Sequence, residues 1–155
     1  MALKRHLALQ DYSREHHDEL MLVWKIREGL KKNISPKRII DYCVHHYNEK
    51  TSLHMANEEK YILNNLPQND QDRIKILHEH NEIKELVKKL SKNSSDSNLL
   101  LSEFAEKLEK HVRYEERTFF PKLQNTFPVD VMNSMQPSES KANECTVWKD
   151  SFWEK

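Results

Sequence analysis

Apolar residues recur in steps of three and four along four stretches of this chain, and histidines and glutamates keep interrupting the series. In the last long stretch the order is Leu101, Phe104, Leu108, His111, Glu115, Phe119, Leu123. An earlier stretch runs Ile40, Cys43, Tyr47, Thr51, His54, Glu58, Ile62, Leu66. Such steps trace one face of an α-helix. His54, Glu58, His111 and Glu115 therefore stand where aliphatic side chains belong. A carboxylate does not stay ionised in a core without compensation; left alone it costs several kcal/mol or takes up a proton. Two His-x-x-x-Glu pairs on buried faces demand a shared counter-ion, and residues four apart on a helix aim one imidazole and one carboxylate at the same point.

Spacing by itself proves little. With 9 His and 17 Glu in 155 residues, about one such pair is expected by chance. Four occur, the others being His45/Glu49 and His78/Glu82. Position on the apolar stripe separates them. The third stretch, Ile76, His80, Ile83, Val87, Leu90, takes in His80 and leaves His78 and Glu82 on the solvent face. The first, Leu9, Ser13, His16, Leu20, Val23, Leu30, takes in His16 and leaves His17 at the rim. Each of four helices thus offers one inward histidine, and two of them add a carboxylate.

A single glycine among 155 residues, with abundant Leu, Lys and Glu, indicates an all-α chain. That length fits one core of ordinary size. The charges, 25 basic against 25 acidic, argue against a nucleic-acid partner held by bulk charge. No apolar run approaches the roughly 18 residues of a membrane span, and the start MALKRHLALQDYS lacks a signal-peptide core, so no membrane partner and a cytoplasmic location are expected. Cys43 and Cys145 form no spaced cluster, which argues against a disulfide framework or a thiolate zinc site.

Helix boundaries follow from residues that helices do not absorb. KKNISP after Gly29 ends the first helix, with Ser35 as cap and Pro36 at the first position of the second. Asn64 to Asp70, containing Pro67, ends the second, and SKNSSDSN, from Ser91 to Asn98, ends the third. Short connections make neighbours antiparallel, so the expected architecture is an up-down-up-down four-helix bundle over residues 1–127. Pro121 should kink or stop the fourth helix. Residues 128–155 read as a tail. Pro128 to Asn143 is a polar linker, and Trp148, Phe152 and Trp153 at helical spacing either dock as a small amphipathic turn or remain exposed to solvent or a partner.

The segments REHHDEL, HMANEEKYIL, LHEHNEI and HVRYEERTFFPKL, in this order over roughly residues 12 to 125, resemble the hemerythrin-like family, also called the HHE cation-binding domain. The resemblance implies an antiparallel four-helix bundle holding two non-haem iron ions, oxo- or hydroxo-bridged, with two carboxylates spanning the metals. Carried over by position, it puts His54, Glu58, His80, His111 and Glu115 in the site, with His16 or His17 from the first helix; the stripe favours His16. Oxygen-carrying members have five histidines, two of them a turn apart on the third helix, whereas here the position four before His80 is Ile76. Two bridging carboxylates, four histidines and an oxygen bridge then supply about ten of the roughly twelve positions at two six-coordinate ions. Water, hydroxide, or a shift of Glu59, Glu79 or Glu116 is expected to complete the set.

Donor chemistry leaves iron, zinc or manganese as candidates. Imidazole excludes a pure calcium or magnesium preference, and a set this large suits two six-coordinate ions better than one tetrahedral zinc. The Glu-x-x-His pattern of ferritin-like oxidases is absent from the sequence. The preferred expectation is a metal-binding protein that binds or senses oxygen, nitric oxide or peroxide, or handles iron. The alternatives are a di-iron enzyme acting on peroxide or nitric oxide or repairing iron-sulfur clusters, and a metal-free helical interaction module. No general acid, nucleophile or substrate pocket is legible, so enzyme activity is an analogy only, and no protein partner is indicated.

Overall fold

The computed structural model describes residues 4–92, 95–137 and 147–154. Among these there is no strand, and the chain forms a helical bundle. Helix α1 spans Leu7–Lys31. A second helical run contains α2 (Pro36–His46), a π turn (Tyr47–Thr51), α3 (Ser52–Asn57), a second π turn (Glu58–Ile62) and a closing 3₁₀ turn (Leu63–Asn65). Helix α4 spans Gln71–Ser91. The last long run is α5 (Ser97–Tyr114), a third π turn (Glu115–Phe119) and α6 (Phe120–Thr126). A short α7 (Val129–Ser134) follows, and a 3₁₀ turn (Phe152–Glu154) lies near the end. No described helix is long and apolar enough to cross a membrane.

The termini follow capping chemistry. His6 Nδ1 accepts from the Ala8 N–H at 3.0 Å at the start of α1, and Asp70 accepts from the Arg73 N–H at 2.9 Å at the start of α4, satisfying N–H groups that a first turn leaves free. Ser35 precedes Pro36 as expected, but its side chain makes no capping bond. Asn33, at φ 56°, turns the chain after α1, where the Ile34 N–H donates to the Gly29 carbonyl at 2.9 Å.

Two apolar clusters make the core. One joins Leu22, Val23 and Ile26 of α1 to Ile39, Cys43 and Met55, to Ile83, Val87 and Leu90 of α4, and to Leu101, Phe104, Leu108 and Val112 of α5. The other joins Leu9 and Tyr12 to Ile62, Leu63, Leu66, Ile76, Phe119, Phe120 and Leu123. Every long run contributes to both, and His16, His54, Glu58, His80, His111 and Glu115 lie close to where a run's two contributions meet.

The tail departs from its sequence reading. The stretch read as linker contains α7, whose Met132 is buried with Met135 in the second cluster, and the Tyr12 hydroxyl donates to the Met135 carbonyl at 2.7 Å. Two apolar side chains three apart are enough to seat one helical turn on an existing core. Residues 138–146, including Cys145 and the rest of that stretch, lie outside the described residues. Of the two readings of the aromatic end, the docked one holds: Phe152 is buried among the first cluster, Arg38 pairs with both Asp150 oxygens at 2.6 and 2.8 Å, and Lys25 Nζ lies 4.1 Å from the centre of the Trp153 ring. Pro121 does not stop its helix. It falls in the first turn of α6, just beyond the π turn, where a missing N–H is tolerated.

Candidate metal centre

Both His-x-x-x-Glu pairs sit where an α-helix gives way to a π turn, and Glu58 and Glu115 are each the first residue of one. The sequence carries the reason. From Thr51 the buried positions run 51, 54, 58, 62, 66, and from Leu108 they run 108, 111, 115, 119, 123. Repeated steps of four overshoot a 3.6-residue turn by about 40° each, so a straight α-helix would carry the series off the buried face. One residue added per π turn brings it back.

His16, His54, Glu58, His80, His111 and Glu115 are all buried and converge between the apolar clusters. Glu58 turns one oxygen each way: Oε2 lies 3.1 Å from His54 Nε2 and 3.6 Å from His16 Nε2, while Oε1 lies 3.1 Å from His80 Nε2. Glu115 does the same, with Oε1 2.7 Å from His16 Nε2 and Oε2 3.5 Å from His111 Nε2. Two donor sets result, His16, His54, Glu58, Glu115 and His80, His111, Glu58, Glu115, each with ligand-capable atoms within 4.8 Å of one another. Both carboxylates belong to both sets.

The other nitrogen of every ring is fixed from outside. His16 Nδ1 meets Glu116 at 2.6 Å, and His54, His80 and His111 present Nδ1 to Glu15, Glu59 and Glu79 at 2.7 Å each. A carboxylate can only accept, so each Nδ1 carries the proton and each Nε2 faces the centre. Glu116 is itself held by Ser13 Oγ at 2.8 Å and Arg5 at 3.1 Å, and Glu79 by Lys75 at 2.7 Å. Of the three expected ways to complete a coordination set (water, hydroxide, or an inward shift of Glu59, Glu79 or Glu116), the structure speaks against the last. They are already engaged, orienting the rings from the far side, as partners of metal-bound histidines do.

His17 is exposed and takes no part, although it was a candidate beside His16. His78 is also exposed and faces Glu82 at 3.5 Å on the outer surface, as its place off the stripe implied. The buried face of α1 runs Leu9, Tyr12, His16, Glu19, Val23, Ile26 rather than through Ser13 and Leu20. The true face has regular steps of three and four. It was legible, but it requires a glutamate in the core, and reading along aliphatic residues passes over Glu19.

The carboxylates of the centre hold protons on its imidazoles. Burial by itself would lower His16 and His54, yet Glu115, Glu116 and Glu58 hold the first, and Glu58, Glu19 and Glu15 the second, well above the usual histidine range. His80, also opposed by burial, is pushed up to about 10 by Glu58 and Glu59. Burial raises Glu115, as does neighbouring Glu58, whereas three histidines hold Glu58 well down against its burial. Without a cation, protons on the imidazoles balance the carboxylates.

Unpartnered atoms show that these residues fit a metal. Buried side-chain atoms with no hydrogen-bond partner include His54 Nε2, His111 Nε2, Glu58 Oε2, Glu115 Oε2 and both Glu19 oxygens. Native interiors rarely leave such atoms unsatisfied. Ligands at right angles, about 2.1 Å from one ion, lie about 3.0 Å apart, close to the spacings within each donor set. The model for the hemerythrin HHE cation-binding domain matches residues 8–123 of the chain. No curated protein and no solved structure matches.

Proposed function

The chain belongs to the hemerythrin HHE cation-binding family, and on that premise we propose that it holds two non-haem iron ions and uses them to bind or sense oxygen, nitric oxide or peroxide, or to handle iron. One observation carries the reading: Glu58 and Glu115 each present their two oxygens to different histidine pairs. A carboxylate that spans two ions needs an imidazole of a different pair beside each of its oxygens, and both glutamates, deeply buried, have that arrangement. His16 and His54 would hold one ion, His80 and His111 the other, and the two glutamates would span them. Each ion would take four protein donors, and iron is favoured because a mixed imidazole and carboxylate set suits an ion pair that completes six positions with an oxygen bridge and small exogenous ligands.

The bundle itself is read as antiparallel, up-down-up-down. Support comes from the order of burial: α1 and α4 pass from the second apolar cluster to the first along the chain, and the other two runs pass from the first to the second.

When bound, an iron pair supplies redox and ligand-binding chemistry toward small molecules. The chain's part is to hold the imidazoles as neutral Nε2 donors through Nδ1–H bonds to Glu116, Glu15, Glu59 and Glu79. It also closes the centre against bulk water: Phe120 stacks on the His16 ring at 5.4 Å and Tyr12 sets its edge toward His54 at 5.9 Å. None of the groups around the centre is arranged as nucleophile and base, so binding or sensing is preferred to catalysis. Azide and nitric oxide titrated into iron-loaded protein should perturb the iron absorbance with saturable binding. Sustained turnover of peroxide or nitric oxide by the same protein would instead establish the enzyme reading.

A further inference from the structure

Glu19 is unexplained by the six residues assigned so far. It lies one turn beyond His16 on α1 and is 1 % exposed, as deeply enclosed as Glu58. Neither of its oxygens has a hydrogen-bond partner. A buried carboxylate without donors is among the costliest arrangements a core can contain. The outer glutamates avoid this by engaging Nδ1 atoms, and Glu58 and Glu115 by facing Nε2 atoms within hydrogen-bond range. Glu19 has only His54 Nε2, at 3.8 Å from its Oε1, too far to bond. That same nitrogen lies 3.1 Å from Glu58 Oε2.

Two atoms sharing an ion at about 2.1 Å from each lie no more than about 4.2 Å apart. The Glu19–His54 separation falls inside this limit while exceeding a hydrogen bond; Glu19 stands just outside the four-residue donor set and would close on the ion when one binds. From this we infer that Glu19 is a seventh protein ligand, taken by the ion between His16 and His54 alone. The inference rests on the metal-pair reading above and deepens it, because it makes the pair unsymmetric. One ion is held by His16, His54, Glu19 and the two shared glutamates. Its neighbour has only His80, His111 and the shared glutamates, with buried, apolar Ile76 one turn before His80. Exogenous small ligands should therefore bind at the His80/His111 ion.

The test is anaerobic titration of the metal-free wild type, Glu19→Ala and Glu19→Gln with iron(II) against a competing chelator, followed by Mössbauer spectra of the loaded proteins and circular dichroism as a check on folding. The wild type should bind two ions of unequal affinity and give two distinct ferrous signals. In Glu19→Ala one affinity should fall by at least about tenfold, the lower end of what loss of even an outer partner costs a metal site. One signal should shift and the other persist. The isosteric Glu19→Gln, which keeps the packing, should weaken the same ion. Unchanged affinities and signals in folded Glu19→Ala, or equal weakening of both ions in the two variants, would overturn the inference while leaving the pair intact. A wild type that binds no iron would remove the pair itself, and the assignment of Glu19 with it.

Discussion

His111 Nδ1 lies 2.7 Å from Glu79 Oε1, tying the ring on α5 to a carboxylate on α4. Because Glu79 is itself held by Lys75 at 2.7 Å, it cannot follow the ring freely, so a swing of His111 breaks the Nδ1 contact that keeps its Nε2 aimed at Glu115. Replacing Glu79 by Ala should lower iron affinity about 10- to 100-fold while leaving both donor sets in place. Lys75→Ala, which removes a half-exposed ion pair with Glu79 and a contact with the Tyr114 ring but leaves the Glu79–His111 bond in place, should cost far less. Chelator competition on the two variants checks the order, and equal losses would mean that ring orientation is not what Glu79 supplies.

Glu58 and Glu115 are predicted to be the spanning carboxylates. Glu58→Ala or Glu115→Ala should lose at least one ion per chain by elemental analysis. Glu82→Ala should lose none, since Glu82 faces Lys107 and His78 on the outer surface. Equal metal content in all three would overturn the assignment.

Metal uptake should release protons. His16, His54 and His80 all have folded values above the ordinary one, so in the metal-free protein at pH 7 they are charged, and a cation must displace those protons from Nε2. A net release of protons is expected at pH 7, read with an indicator in weakly buffered solution during anaerobic iron(II) addition. Iron affinity should rise with pH as these imidazoles give up their protons, His80 near 10. The same protons stabilise the metal-free fold: that contribution is complete below about pH 6.5, the unfolded value, and is lost as pH rises through the folded values. Metal-free protein should therefore unfold at lower urea concentration at pH 10 than at pH 7.

Gly29 is the sole glycine, and a Cβ there would lie 2.8 Å from Ile39 Cδ1 and 2.9 Å from Phe152 Cε1. Alanine would gain about 1 kcal/mol of helix propensity, but overpacking costs about 1–3 kcal/mol. Gly29→Ala should come out net destabilising in urea unfolding and should loosen the docked Phe152. A more stable variant would show that the tail yields freely.

Much of the centre was legible because a charged residue on an apolar stripe has few explanations. His54, Glu58, His80, His111 and Glu115 each interrupt a helical series whose phase several aliphatic residues fix. The first helix was harder. Reading its face through Leu20 instead of Tyr12 and Leu22 kept His16 but rotated Glu19 out of view. The π turns are marked by runs of four-residue steps, a signal visible only once an α-helix is assumed and found to drift. The four outer carboxylates were out of reach. Glu15, Glu59, Glu79 and Glu116 lie in sequence beside site residues, but which ring each one meets depends on how the helices pack.

Iron content and coupling test the central claim most directly. Protein purified without added metal should contain about two irons per chain, and its oxidised form should show the Mössbauer signature of two antiferromagnetically coupled ferric ions, as an oxo- or hydroxo-bridged pair between the two donor sets would give. A folded, helical protein that carries no iron, or a single magnetically isolated one, would contradict the account.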